Sequence, residues 1–303
     1  MASEAIGRGF ESLRARQIML MNFPVHTLQN TYGQLTVSEY GGQLLSWKDA
    51  DGIEQLYTPD TLQLKHGKAL RGGVPVCFPQ FSKRGVLPKH GLVRTRPWRL
   101  LAKTETALIL TISDDAETRA IWPTAFELIQ TIILDERGLS IALDVHNRSD
   151  LPIVFSAALH TYLRVSDVAH CALHGLSNHS YEDAADDGRY KTQHGDLLIN
   201  GEVDCVFADA PKSLRLKRGT LQQDRDIALL QAQGANMDLC IEQGGFNDTV
   251  VWCPGPTLAA SFTDMPAADW QRMLCVEAAA AAQPVTLLAD GHWQGWQRLQ
   301  IAK

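Results

Sequence analysis

Short apolar runs of strand length, each closed by a turn, constrain this chain more than any other feature. Leu35-Thr36-Val37-Ser38-Glu39-Tyr40 leads into Gly41-Gly42 and then Gln43-Leu44-Leu45-Ser46-Trp47, the strand, break, strand pattern of antiparallel β structure. The pattern continues through Trp98–Leu101, Ala107–Ile112, Phe126–Leu134, Leu139–His146 and Ile153–Leu163. Only two segments after Phe23 invite a helix. Asp114–Trp122 starts acidic and ends at Pro123, which predicts a helix of one or two turns. Ala278–Ala282 has alanine's helix propensity, but strand-favouring Leu274-Cys275-Val276 and Val285-Thr286-Leu287-Leu288 flank it, and it reads as a loop. Residues 1–22 form an extension with room for a short amphipathic helix. No Pro/Ser-rich linker, fixed-period repeat or low-complexity tract divides the remainder, so residues 23–303 are expected to form a single all-β domain, a large antiparallel sandwich.

Charge narrows the partners. The 303 residues carry a formal charge of -6, with 45% hydrophobic and 20% charged side chains, the balance of a soluble globular protein. A net acidic chain argues against nucleic acid and membrane surfaces as partners. No apolar run approaches the roughly 20 residues that span a bilayer, and Met1–Arg16 is interrupted by charges, so no membrane span or secretory signal is expected. Cys77, Cys171, Cys205, Cys240, Cys253 and Cys275 are scattered without Cys-x-x-Cys spacing, as expected of reduced, buried thiols in a cytoplasmic protein.

One stretch runs against the acidic balance. Between Thr61 and Thr104 lie Lys65, Lys68, Arg71, Lys83, Arg84, Lys89, Arg94, Arg96, Arg99 and Lys103, with no Asp or Glu. Within it, Arg71 precedes Gly72-Gly73, Pro75 and Pro79 pin the turns, and His90 and Arg94 follow, an arrangement suited to a small anion. Arg71 and Arg94 offer planar donor forks that match phosphate or carboxylate; the alternative is a solvated basic face.

No GxxxxGK[ST], strand-linked GxGxxG, HExxH, compact Cys/His cluster or Gly-x-Ser-x-Gly elbow is present, so neither cofactor nor metal is expected. Polar residues in apolar strands remain. His160, in Phe155–Leu163, is either a satisfied structural histidine or a proton donor in a dry pocket. Glu277, closing Met273-Leu274-Cys275-Val276, is either a solvated strand end or a base with a built environment, and Asp204 poses the same choice against a surface turn. Trp252 and Trp293 could stack on a sugar ring or belong to the core.

Seven blocks in order, RGGVPVCFPQF at 71–81, HGLVRTRPW at 90–98, ETRAIWPTAFEL at 117–128, ALHTYLRVSD at 158–167, EVDCVF at 202–207, NDTVVWCPG at 247–255 and MLCVEAA at 273–279, carry a resemblance. Together they resemble the aldose 1-epimerase, or galactose mutarotase-like, superfamily and its hexose-6-phosphate mutarotase (glucose-6-phosphate 1-epimerase) branch, from about Phe23 to Gln300. The resemblance implies a β-supersandwich, an isomerase acting on the anomeric centre of a sugar phosphate without metal or cofactor, His160 as general acid and Glu277 as general base. It also implies a carboxylate of the sugar site at Asp204, and substrate and phosphate contacts at Arg71, His90 and Arg94. The chain departs from the family at Ala278–Ala282, where Pro or Gly usually follows the glutamate, and at Cys253-Pro254-Gly255.

Anomer exchange fits these residue types. A base takes the proton of the C1 hydroxyl, an acid protonates the ring oxygen, the open C1 turns over, and the steps reverse. One acid and one base on opposite sides of the sugar suffice, each contributing about 10² to 10⁴ in rate. A free histidine is mostly uncharged at neutral pH, so His160 is expected to need a carboxylate such as Asp204 to raise its pKa. The expected protein is therefore a monomeric, cytoplasmic mutarotase of a hexose 6-phosphate. Two rivals are an aldose 1-epimerase for unphosphorylated sugar and a non-catalytic sugar-phosphate binding or sensor protein.

Overall fold

The computed structural model describes residues 23–61, 67–219 and 237–302. The possible helix in residues 1–22 lies outside them. Three antiparallel sheets make up the fold, of three, eight and nine strands. The alternation in the sequence accounts for the large sheets: Phe126–Asp135 and Gly138–Asn147 pair along their full length, each burying every second residue. Phe126, Leu128, Ile132, Leu134, Leu139, Ile141, Leu143 and Val145 thereby point one way, and they join Phe155, Val251, Leu274 and Val276 of the eight-stranded sheet in one contiguous core. No helix among the described residues is long and apolar enough to cross a membrane.

The anticipated helix forms over Ala116–Ile121. Asp115 caps it, its carboxylate accepting from the Thr118 N–H while the Thr118 hydroxyl accepts from the Asp115 N–H. A short helix over Gly255–Ala259 and a 3-10 turn over Ala267–Arg272 were not anticipated.

The reading of Ala278–Ala282 as a loop is corrected: these residues belong to the 15-residue strand Met273–Leu287. Ala278 and Ala279 pair with Thr249 and Asp248 on one side and with Leu159 and Ala158 on the other, so ladder bonds and burial override local propensity. The register shifts between Ala280 and Val285, and there the Asp248 carboxylate accepts 2.7 Å hydrogen bonds from the N–H groups of both Ala281 and Ala282. An irregular backbone is thereby kept satisfied inside the protein.

The expected run Ile153–Leu163 is also divided. Ile153–Leu159 and Tyr162–Arg164 both pair with Met273–Leu287, and His160-Thr161 forms the break between them.

Candidate active site

The register of the eight-stranded sheet builds the site. Asp204 lies opposite Trp252, Trp252 opposite Cys275, and Cys275 opposite Tyr162, which puts four side chains from distant parts of the chain in one row on one face. Two residues further along, Val250 lies opposite Glu277. Glu277 and Cys275 share a face by the two-residue period of a strand.

His160 meets Glu277 at the break: Nε2 lies 3.4 Å from Oε1. Both are buried, His160 with 8% and Glu277 with 1% of its surface exposed. Tyr162 stacks on the imidazole at 4.8 Å and 10°, and Trp252 meets it edge-on at 6.1 Å. His160 Nδ1 and Glu277 Oε2 have no hydrogen-bond partner among the described residues. Unpaired buried polar atoms are costly, and two converging at one point mark a place where a polar ligand restores what burial removed.

Behind the pair lies a connection the sequence did not reveal. Gln297, on the strand His292–Ile301 of the nine-stranded sheet, donates to the Val276 carbonyl at 3.0 Å and accepts from the Thr161 hydroxyl at 2.6 Å. The Val276 N–H bonds the Thr161 carbonyl at 3.2 Å. The neighbours of His160 and Glu277 are thus tied to each other and to the opposite sheet. Tyr162 and Cys275 were legible in principle, since each stands two residues from a candidate; Gln297 carried no signal of this kind.

Two loops complete the pocket. The Tyr162 N–H bonds the Gly73 carbonyl and the His160 N–H bonds the Pro75 carbonyl, both at 2.9 Å, which fastens the Arg71 turn beside the break. A Cβ on Gly73, at φ +60°, would stand 2.0 Å from the Leu44 carbonyl oxygen, so glycine is required there. The second loop is held by the Leu92 N–H bonding the Phe78 carbonyl at 2.8 Å. It brings His90 within 5.3 Å of the His160 ring and carries Arg94, whose Nη2 donates to the Lys89 carbonyl. His90 Nδ1 accepts from the Ser82 N–H at 3.3 Å and lies 3.2 Å from Cys77 Sγ, which leaves Nε2 to carry the ring hydrogen. Arg71 lies over the Phe262 ring at 4.0 Å, faces Trp252 at 6.0 Å, and donates from Nε to Asp264 Oδ1 at 3.0 Å. Among the described residues only Nε is committed to Asp264, which leaves the two Nη groups available as a donor edge.

The cationic stretch is less concentrated than its sequence suggests. Arg84 pairs with Glu182, Arg96 with Asp115 and Glu117, and Lys103 donates to the Thr27 carbonyl. Arg71, Arg94 and Lys89 are the cations that act on His160. Trp293 packs on Phe155 and Phe246 in the core, whereas Trp252 lines the pocket.

Protonation departs from expectation. Burial lowers the pKa of His160, and Arg94 and Arg71 lower it further. The expected help from Asp204 is therefore corrected: the imidazole is desolvated among cations, and the Asp204 charge acts on Glu277, whose pKa burial and then Asp204 raise well above the carboxylate range. Asp204 itself is raised to about 6, chiefly by burial, against the opposing pull of Lys89. Burial thus favours the uncharged imidazole and the protonated carboxyl. His160 and Glu277 also stand side by side rather than across a sugar ring.

Comparison with known proteins follows from this geometry. The family model for aldose 1-epimerase matches residues 24–300. A Cenchrus ciliaris protein provisionally named glucose-6-phosphate 1-epimerase is 32% identical over 271 residues, 84% of this chain and 78% of its own. An Escherichia coli protein of the same provisional name is 29% identical over 272 residues, 87% of this chain and 85% of its own. A solved structure from Salmonella typhimurium, YeaD, provisionally named a mutarotase, superimposes with a TM-score of 0.80 at 26% identity, over 93% of this chain and 91% of that one. The expected galactose mutarotase-like β-sandwich is the observed architecture.

Proposed function

The chain belongs to the aldose 1-epimerase family, an epimerase of the isomerase class, and from that premise we propose that it interconverts the α and β anomers of a hexose 6-phosphate, D-glucose 6-phosphate foremost. The observation that carries this reading is the buried His160–Glu277 contact at 3.4 Å, near enough to Arg94, Arg71 and Lys89 for their charges to act on the imidazole. The pair holds one transferable proton. With that proton on His160, the Glu277 carboxylate takes the C1 hydroxyl proton while the imidazolium protonates the ring oxygen, and the ring opens. The pair is left as neutral histidine and neutral carboxyl, the form that burial favours. Rotation about C1–C2 presents the other carbonyl face, and the two transfers reverse. Each turnover passes through both proton arrangements, so a pocket that kept them close in free energy would serve both half-reactions.

A phosphate dianion on the free Nη edge of Arg71 and on Arg94 would offset the cations that lower the His160 pKa, and so shift the pair toward imidazolium and carboxylate as the substrate binds. His90, donating from Nε2, and Asp204 are assigned to the sugar hydroxyls, with Trp252 against the ring.

Exchange NMR of anomer equilibration with glucose 6-phosphate, galactose 6-phosphate and free glucose tests the reading. Acceleration for a hexose 6-phosphate, falling about 10²-fold or more in Glu277→Gln, is the expected result. Faster exchange of free glucose than of either phosphate would transfer the assignment to unphosphorylated aldoses. Binding of glucose 6-phosphate with no acceleration would leave a sugar-phosphate sensor.

A further inference from the structure

The pocket floor contains a third reactive group that anomer exchange does not use. Cys275 stands two residues before Glu277 on the same face, and its Sγ, a nitrogen of His160 and an oxygen of Glu277 lie within 4.8 Å of one another. We propose that these three side chains form a reversible binding site for a thiophilic divalent cation, Zn2+, which competes with the sugar. The binding itself is independent of the proposed reaction; only its inhibitory effect rests on that reading.

The donor set matches zinc. Thiolate, imidazole and carboxylate are its usual protein ligands, at about 2.3 Å to sulfur and about 2.0–2.2 Å to nitrogen and oxygen. A tetrahedron with those bond lengths spaces its ligand atoms about 3.3–3.6 Å apart. The His160–Glu277 contact at 3.4 Å already has that spacing, and the separations to Cys275 Sγ, none above 4.8 Å, close with a movement of roughly an ångström, within reach of a small χ1 adjustment at Cys275. Three protein ligands leave a fourth position for water in a tetrahedral site.

The surrounding cations do not veto the ion, because the exchange conserves charge. Burial favours the uncharged thiol and the uncharged carboxyl. As one Zn2+ enters, the Cys275 S–H and Glu277 O–H bonds break, two protons leave to solvent, and sulfur and oxygen donate to the metal. The net charge beside Arg71 and Arg94 is unchanged.

One feature sets the strength and the role. A built-in metal site normally gives the second imidazole nitrogen a carboxylate or carbonyl partner. His160 has one nitrogen with no partner among the described residues. The ion is therefore a reversible occupant and not a resident cofactor. Because it takes His160 and Glu277, it excludes the substrate from the same atoms. Mg2+ and Ca2+, which favour oxygen ligands, are excluded by the thiol and imidazole.

The test uses the full chain in a non-chelating, phosphate-free buffer. Titration with Co2+ as a spectroscopic stand-in is expected to give the thiolate-to-metal absorption of a site with one sulfur ligand, and Zn2+ is expected to displace it. Calorimetric titration with Zn2+ is expected to show one site, weakened about tenfold or more in both Cys275→Ala and Cys275→Ser, the two variants guarding against a folding defect in either. In the exchange assay Zn2+ raises KM for glucose 6-phosphate without lowering kcat, a chelator reverses it, and Mg2+ has no effect. A missing thiolate band, or undiminished Zn2+ affinity in both Cys275 variants, overturns the site. If the metal data hold while no hexose phosphate undergoes exchange, the site stands and the reaction reading falls.

Discussion

Asp204 has its pKa raised from 3.8 to about 6, chiefly by burial, and that displacement has a sign that stability measurements can read. In the unfolded chain the carboxyl ionises near 3.8, in the folded one near 6, so the unfolded state releases its proton first as pH rises. Stability is full below the unfolded value, declines between the two, and stays lower above pH 6 by at most about 3 kcal/mol. Asparagine has no such loss. Urea unfolding at pH 8 is therefore expected to find Asp204→Asn more stable than the parent, with the difference shrinking toward pH 4. Equal pH dependence in the two proteins would contradict the burial cause. The same variant is expected to lose affinity for the sugar, and to move the Glu277 limb of the pH–rate profile downward, because the Asp204 charge is one of the influences that raise Glu277.

At the scale of elements, the site depends on a break in a strand and on the bonds that hold the break. Gln297 reaches from the opposite sheet to Thr161 and Val276, the immediate neighbours of His160 and Glu277. Gln297→Leu leaves a buried hydroxyl and a buried carbonyl without this partner, a loss of about 1–3 kcal/mol. A kcat that falls while KM for glucose 6-phosphate holds would identify Gln297 as a positioning residue, whereas thermal destabilisation with kcat intact would make it structural only. This is also where sequence reading reached its limit. The alternation of Phe126–Leu134 and Leu139–His146 made those strands legible, because one face meets the core and the other water. Met273–Ala281 is buried on both faces, so no alternation marked it, and alanine propensity pointed away from the strand that forms. Register was invisible altogether: nothing local states that Asp204 faces Trp252, or that Cys275 faces Tyr162. The candidates His160 and Glu277 gained roles from family resemblance, while their contact, their inverted protonation and their ties to Gln297 belong to pairings between distant segments.

For the whole molecule, a formal charge of -6 coexists with a cationic mouth at Arg71, Lys89 and Arg94. An acidic body repels anions at long range, and the local cations act within about 10 Å at 0.1 M salt. Raising the ionic strength tenfold is therefore expected to increase KM for glucose 6-phosphate and leave kcat nearly constant. A salt-insensitive KM would place the phosphate away from these three residues.

Glu277 lies on a strand paired on both sides and His160 in the break beside it, whereas Arg71, His90 and Arg94 arrive on loops whose backbone bonds include those to the Gly73, Pro75 and Phe78 carbonyls. Reactivity and recognition are thus separable for protein engineering. Randomising the exposed positions 83, 84, 86 and 88, with the glycine anchors left intact, is expected to alter which substituent the loop accepts while the sheet residues stay in place, and a library built this way explores new sugars at little risk to folding.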